Sequence, residues 1–436
     1  SALAPAYLPV KEKGRYEMFI FDISYFSGKL EAYFRYKEIP HKRVEVTWWS
    51  LASKIVQKTG LMEVPVVHDI KEDTWLSDTT PLIEYFEKNL KIPKKVPIRS
   101  AGHKISNSFD ILPVLPDCKV QRFFSFLIGD FADEWLWKPA IYYRWWYKTD
   151  SELYGRRFVN EFYHNPFVPG FLKRRLCRAR MIRGYLLKDG ICNSETREHT
   201  ERLYLETLMI LENHFQQYPF MLGDSPTFVD FCLFASMYRH FSLDPTPAKI
   251  MRQNGPAVYE WVARMWNAKE SSVCKFANAE VICPTGTIPE AWIDLMPFVS
   301  EYLIYLRENT RALEAGHKVF NFSLDNVEYQ GVEVVAYRSW RRELLQLRFQ
   351  ELSKNEQSKV EAILREHDCW DDLMSSPYQT NLYENRPSPP FTKGSTHQNS
   401  FYKKVILFLT GTPRHSNELV MSPLILAVIA IAILLL

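Results

Sequence analysis

Leu61-Met62-Glu63-Val64-Pro65-Val66-Val67, followed by Trp75-Leu76-Ser77-Asp78-Thr79-Thr80-Pro81-Leu82-Ile83-Glu84-Tyr85-Phe86, is the stretch on which the reading of this chain turns. The first part reads as a strand entered through a proline, tolerated at a strand's first residue because no ladder N–H is asked of it. A cis Val64-Pro65 bond would leave the Val64 N–H and C=O facing outward, where an extended peptide can pair with them. The second part opens with acidic and hydroxyl residues and continues with apolar residues at helical spacing, Leu82, Ile83, Tyr85 and Phe86. This is the signature of a capped helix N-terminus, whose free N–H groups and dipole favour a carboxylate.

Working outward, Arg15 to Asp22 reads as a buried strand, Lys29 to Lys37 as a helix broken at Ile39-Pro40, and Lys42 to Val46 as a second strand. A helix from about residue 50 to 58, the proline-entered strand, a further strand near Val66 to Ile70 and a helix to about Asn89 follow. The order is that of a thioredoxin-like α/β domain over 15–90, and Lys91 to Pro97 reads as a linker.

From 98 to 275 no strand is evident and helical periods dominate. Thr227 and Asp230 form a capping box ahead of an apolar helix through Leu233, Phe234 and Met237. Residues 276–374 read as a mainly helical extension: Trp292 to Ala315 as one helix, a hairpin turning at Asp325-Asn326, and Trp340 to Arg365 as another helix. Residues 375–418, rich in Pro, Ser, Thr and Asn, read as a polar tether. Residues 419–436 carry no charge and are long enough to cross a bilayer. The expectation is therefore a C-terminal membrane anchor with the body in the cytosol, in the endoplasmic reticulum or the mitochondrial membrane.

Composition narrows the function classes. The chain has 436 residues and a net charge of +3, so nothing in its overall charge points to nucleic acid. Seven cysteines without a C-x-x-C pair argue against a disulfide framework or a zinc ribbon, and the histidines show no ligand spacing, so no metal is expected. The run Lys173-Arg174-Arg175 with Arg178, Arg180 and Arg183 reads as a solvated helix face or, beside an anchor, a contact for anionic lipid.

The Val-Pro strand entry, the Asp78-Thr79 helix start and the capping box downstream together resemble the glutathione S-transferase superfamily, with a thioredoxin-like domain followed by an all-helical one. The resemblance implies glutathione as co-substrate, held by Val64 and Pro65 at its cysteinyl backbone and by Asp78 and Thr79 at its γ-glutamyl group. Family members usually carry Glu-Ser or Asp-Ser where this chain has Asp78-Thr79. A hydroxyl in the loop after the first strand would stabilise the thiolate, the nucleophilic form. Ser24 takes that place against a Ser-Pro-Phe pattern, although Tyr25 replaces the proline; Tyr25 takes it against a Tyr-Phe pattern, and Ser27 is the third choice. An apolar electrophile would sit against the aromatic stretch 131–147, with Trp135 and Tyr142 as wall residues, although core positions are the simpler reading for any one of them. The resemblance also admits a homodimer, and a non-catalytic alternative in which the fold serves as an interaction module or accessory subunit of a membrane complex.

Overall fold

The computed structural model describes residues 13–89, 112–162, 169–273, 287–375 and 391–393. The first unit runs β1 (Tyr16–Ile20), α1 (Tyr25–Tyr36), β2 (His41–Glu45), α2 (Trp48–Ser50), a π-type turn (Leu51–Ile55), α3 (Val56–Thr59), β3 (Val66–Asp69), β4 (Thr74–Ser77) and α4 (Thr79–Asn89). The sheet order is β2-β1-β3-β4, with β1 and β2 parallel and the other pairs antiparallel. The element order is the one expected from the sequence.

α1 starts four residues earlier than the apolar period suggested, because Ser24 caps it, and it ends before Glu38, whose φ of 53° turns the chain out. The unit's core sits between the sheet and α1 and α4. There Tyr16, Phe34 and Phe86 meet edge to face, with centroids 4.9–6.1 Å apart. Arg15 and Asp69, both buried, close its far end with paired hydrogen bonds.

A fifth strand, β7 (Phe391–Lys393), pairs antiparallel with β4. It falls within the stretch read as a polar tether, so that reading is corrected over 391–393. The physical reason is that β4 would otherwise leave an unpaired sheet edge, and a returning chain supplies its hydrogen bonds. The linker 91–97, most of the tether and the apolar run 419–436 lie outside the described residues. Among the described residues no helix is both long and apolar enough to cross a membrane.

The helical unit comprises α5 (Lys119–Glu134), α6 (Trp137–Trp146), α7 (Lys148–Glu161), α8 (Gly170–Met181) continued by a π-type segment (Ile182–Leu186), α9 (Ser194–Phe215), α10 (Phe228–Ser236), a π-type segment (Met237–Phe241), α11 (Pro245–Asn254), α12 (Pro256–Asn267) and a single turn α13 (Glu270–Val273). Asp230, fully buried at the start of α10, accepts from the Thr227 N–H (2.8 Å) and hydroxyl (2.7 Å). Its other oxygen accepts from the Met221 N–H and the Trp261 indole. The box therefore ties a loop and α12 to the helix start as well as capping it. Thr227→Ala should lower unfolding free energy by about 1 kcal/mol, read from a shifted urea midpoint at unchanged slope.

The extension packs onto this unit. α14 (Glu290–Glu314) is followed by a hairpin of β5 (Val319–Leu324) and β6 (Val327–Glu333), then α15 (Ala336–Gln350), α16 (Lys354–Glu366) and α17 (Trp370–Met374). The hairpin turns at Asp325 and Asn326, both with positive φ (47° and 64°), as a two-residue turn requires. Phe320, Phe322 and Leu324 face inward along β5 while the residues between them face solvent. The single helix expected over Trp340 to Arg365 is instead two. Ser353 and Glu356 cap each other's backbone at the start of α16, and that local capping box interrupts the helical period.

Candidate functional site

Strand register gathers the sequence candidates at one end of the sheet. Phe19, one residue short of the end of β1, pairs with Val66, the first residue of β3, and Val66 in turn pairs with Ser77, the last residue of β4. The loop after β1, the Val64-Pro65 entry and the Asp78-Thr79 helix start therefore all leave the sheet at the same edge. The Val64-Pro65 bond is cis, and Val64 is half-buried while Pro65 is buried.

Asp78 has a φ of 70°, and its carbonyl accepts the first bond of α4 from Leu82 N–H at 3.1 Å. Thr79, the first residue of α4, is buried. The helix start therefore presents half-buried Asp78 as its acid, and Thr79 lies under the rim.

The three hydroxyl candidates separate cleanly. Ser24 is half-buried, and its Oγ accepts from Ser27 N–H at 3.4 Å, leaving its own hydroxyl proton available to a ligand. Ser27 is fully buried, with its Oγ accepting from Phe21 N–H. Tyr25, a candidate from the sequence, is 1% exposed, donates its hydroxyl to the Ala132 carbonyl at 2.5 Å, and is pushed well above the ordinary tyrosine range by burial. It belongs to the packing of α1 on α5, which leaves Ser24 as the hydroxyl at the rim.

Asp22, just before Ser24, receives Arg43 (2.5 Å), Arg157 (2.8 Å) and Arg239 (2.8 Å). Burial opposes its charge, but Arg239 and the other two arginines outweigh it and hold the carboxyl below its usual range. The loop carrying Ser24 is thus clamped from β2, α7 and the segment following α10.

The aromatic wall differs from the expected one. Trp135 is 1% exposed, and Tyr142 is 2% exposed with its hydroxyl on Glu201 at 2.7 Å, so both are core residues rather than pocket walls. The ring that reaches the Ser24 side is Trp137, which stacks on half-buried Phe26 (6.0 Å) and meets Tyr185 edge-on (5.9 Å). Trp137 opens α6, and a sequence with aromatics around the whole helix gives no way to pick the outward one.

No local pattern of residues signals that the extension reaches this rim. Tyr337 of α15 donates its hydroxyl to Asp78 at 3.1 Å, and Arg348 at the other end of the same helix pairs with Glu84 of α4 at 2.6 Å. Between them Arg338 binds Asp189 (3.0 Å) and Glu134 (3.3 Å), and Arg341 binds Asp130. Burial raises the Glu134 carboxyl to about 7 against the pull of Arg338. α15 therefore lies along the acid side of the rim and closes part of the space over Asp78.

Residues 185–268 match the family model of the glutathione S-transferase C-terminal domain. The matched span covers the later part of the helical unit, from α9 through α12, together with the segment that leads into it. No curated protein matches the chain. Among solved structures, a glutathione S-transferase from Rhodospirillum rubrum F11 is 13% identical with a TM-score of 0.35, covering 64% of this chain and 99% of that one. The β-etherase LigF from Sphingobium sp. strain SYK-6 is 15% identical with a TM-score of 0.39, covering 60% and 100%. FzlA from C. crescentus is 13% identical with a TM-score of 0.36, covering 64% and 97%.

Among the described residues, one cluster outside the rim has ligand chemistry. His199 of α9, Glu301 of α14 and Asp325 at the hairpin turn bring a ring nitrogen and two carboxylates within 4.8 Å of one another. They come from three elements far apart in sequence, which is why no ligand spacing was legible. Arg202 already pairs with Asp325 at 3.0 Å and approaches Glu301 at 3.8 Å, so an arginine supplies the positive charge there.

Proposed function

We propose that the chain binds glutathione at the sheet edge and uses Ser24 to stabilise its thiolate for attack on an apolar electrophile lodged against Phe26, Trp137 and Tyr185. The observation that carries this reading is the convergence of the cis Val64-Pro65 entry, the Asp78 helix start and the half-exposed Ser24 at one sheet end. The Val64 backbone would pair with the cysteinyl segment, Asp78 would receive the γ-glutamyl ammonium, and the start of α4 would face the adjoining carboxylate. Ser24 would donate its proton as a hydrogen bond, not transfer it, and so would lower the thiol pKa. An anchor at 419–436 holding the body at a membrane belongs to the same proposal and rests on the apolar character of that run.

A second reading is favoured by α15. Tyr337 occupies an oxygen of Asp78 that the ligand's ammonium would need, as expected of a transferase fold turned into an interaction module. One experiment separates the two. Thiolate absorbance of glutathione bound to wild type at neutral pH should be present, should fall at least tenfold in Ser24→Ala, and should strengthen in Tyr337→Phe. Its absence in both wild type and Tyr337→Phe leaves the non-catalytic reading.

A further inference from the structure

The helical run 170–186, α8 and its π-type continuation, carries Lys173, Arg174, Arg175, Arg178, Arg180 and Arg183 and no acidic residue. At 3.6 residues per turn, Phe171, Arg175, Leu176, Ala179, Arg183 and Leu187 fall within about 160° of its circumference. This face is turned to solvent: Phe171 is 68% exposed, Leu187 43% and Leu176 37%, and Arg175 and Arg183 are also exposed. The opposite side is anchored, with Cys177 and Met181 buried and Arg178 donating to the Trp145 and Trp146 carbonyls at 3.2 and 2.7 Å.

From this combination we infer that the outward face of α8 rests on an anionic lipid surface. An ordinary solvated face mixes both charge signs and keeps large apolar side chains off its crown, whereas this one does neither. A phosphate backbone would satisfy the arginines but gains nothing from Phe171, Leu176 and Leu187. A bilayer satisfies both sets, because the arginines meet anionic headgroups while the phenylalanine and leucines enter the acyl boundary. Arg178 and its carbonyl bonds hold the helix so that this face stays outward. The surface is independent of the glutathione rim and of the apolar run at 419–436, which would enter neutral and anionic bilayers alike.

The test uses the full chain in co-sedimentation with vesicles of phosphatidylcholine alone or mixed with phosphatidylserine. Wild type should partition preferentially to the anionic vesicles. The anionic-over-neutral ratio should fall about fivefold for each arginine lost, disappear in Arg175→Glu/Arg183→Glu, and collapse in high salt. Phe171→Ser should weaken binding to both vesicle types. Circular dichroism checks that the variants fold, and the salt arm on wild type decides the matter if they do not. Equal partition of wild type to both vesicles, an unchanged ratio in the double variant, or displacement of the chain from anionic vesicles by duplex DNA would overturn the proposal.

Discussion

Replacing Arg144 with methionine is expected to remove about 3–5 kcal/mol of unfolding free energy, the cost of stripping one partner from a buried ion pair. Arg144 is 3% exposed and spends its whole guanidinium inside the protein. It binds Asp244 through Nε and Nη2 (2.9 and 2.8 Å), the Ile23 carbonyl through Nη1 (2.6 Å) and the Arg239 carbonyl through Nη2 (2.6 Å), with the Tyr154 ring 3.9 Å from its centre. Methionine fills similar volume, so the loss measured is mainly electrostatic. Asp244, fully buried, would remain without its cation.

The pH dependence has a definite sign. Burial already raises Asp244 to about 6 in the folded protein, with Arg144 pulling the other way, against an ordinary aspartate value of 3.8. A carboxyl with a raised folded pKa binds more protons when folded, so it lowers stability as pH climbs through that window. Without Arg144 the folded value rises further, and the variant's deficit should be larger at pH 8 than at pH 5. Urea unfolding followed by tryptophan fluorescence at the two pH values measures both. Because Ile23 precedes Ser24, the same substitution should also loosen the loop at the rim and weaken glutathione binding.

The second large effect concerns Lys138. Its ammonium is buried without a hydrogen-bond acceptor among the described residues. Four ring faces surround it: Trp135 at 4.0 Å, Tyr329 at 4.7 Å, Tyr305 at 4.8 Å and Phe322 at 5.4 Å. Burial lowers it to about 7 from 10.5, with Asp189 and Glu301 resisting and Arg338 assisting. A lysine with a depressed folded pKa binds fewer protons when folded, so stability rises as pH climbs from about 7 to about 10. Lys138→Met keeps the length and removes the charge. It should stabilise the protein at pH 6 by about 2 kcal/mol, after the ring faces' attraction for the ammonium offsets part of the desolvation cost, and by much less at pH 10. Parallel thermal melts of wild type and variant across that range show whether the curves converge. A variant less stable than wild type at pH 6 would mean that the cage outweighs burial.

How much of this was legible in the sequence follows from what each signal encodes. Strand and helix order in the first unit was readable because alternation and helical spacing are local, and the Asp325-Asn326 hairpin because its turn residues accept positive φ. Ser24 at the sheet end could be placed from order alone. The burial of Tyr25 against Ala132, of Trp135 and of Tyr142 could not, because an aromatic segment apolar on every side carries no direction. The approach of Tyr337 to Asp78 spans 259 positions, and the partners of Lys138 come from Trp135 just past α5 and from α14, β5 and β6. Such contacts are set by tertiary packing, and no pattern within a window of residues announces them. The split between α15 and α16 was in principle visible in Ser353 and Glu356, but the apolar period ran past them.

Titrating the chain with reduced glutathione in a calorimeter, beside Asp78→Ala and Tyr337→Phe, tests the central claim most directly. Saturable one-site binding by wild type, lost in Asp78→Ala and tightened in Tyr337→Phe, is the predicted result. Heats of dilution alone from both wild type and Tyr337→Phe would contradict a glutathione site at this sheet edge.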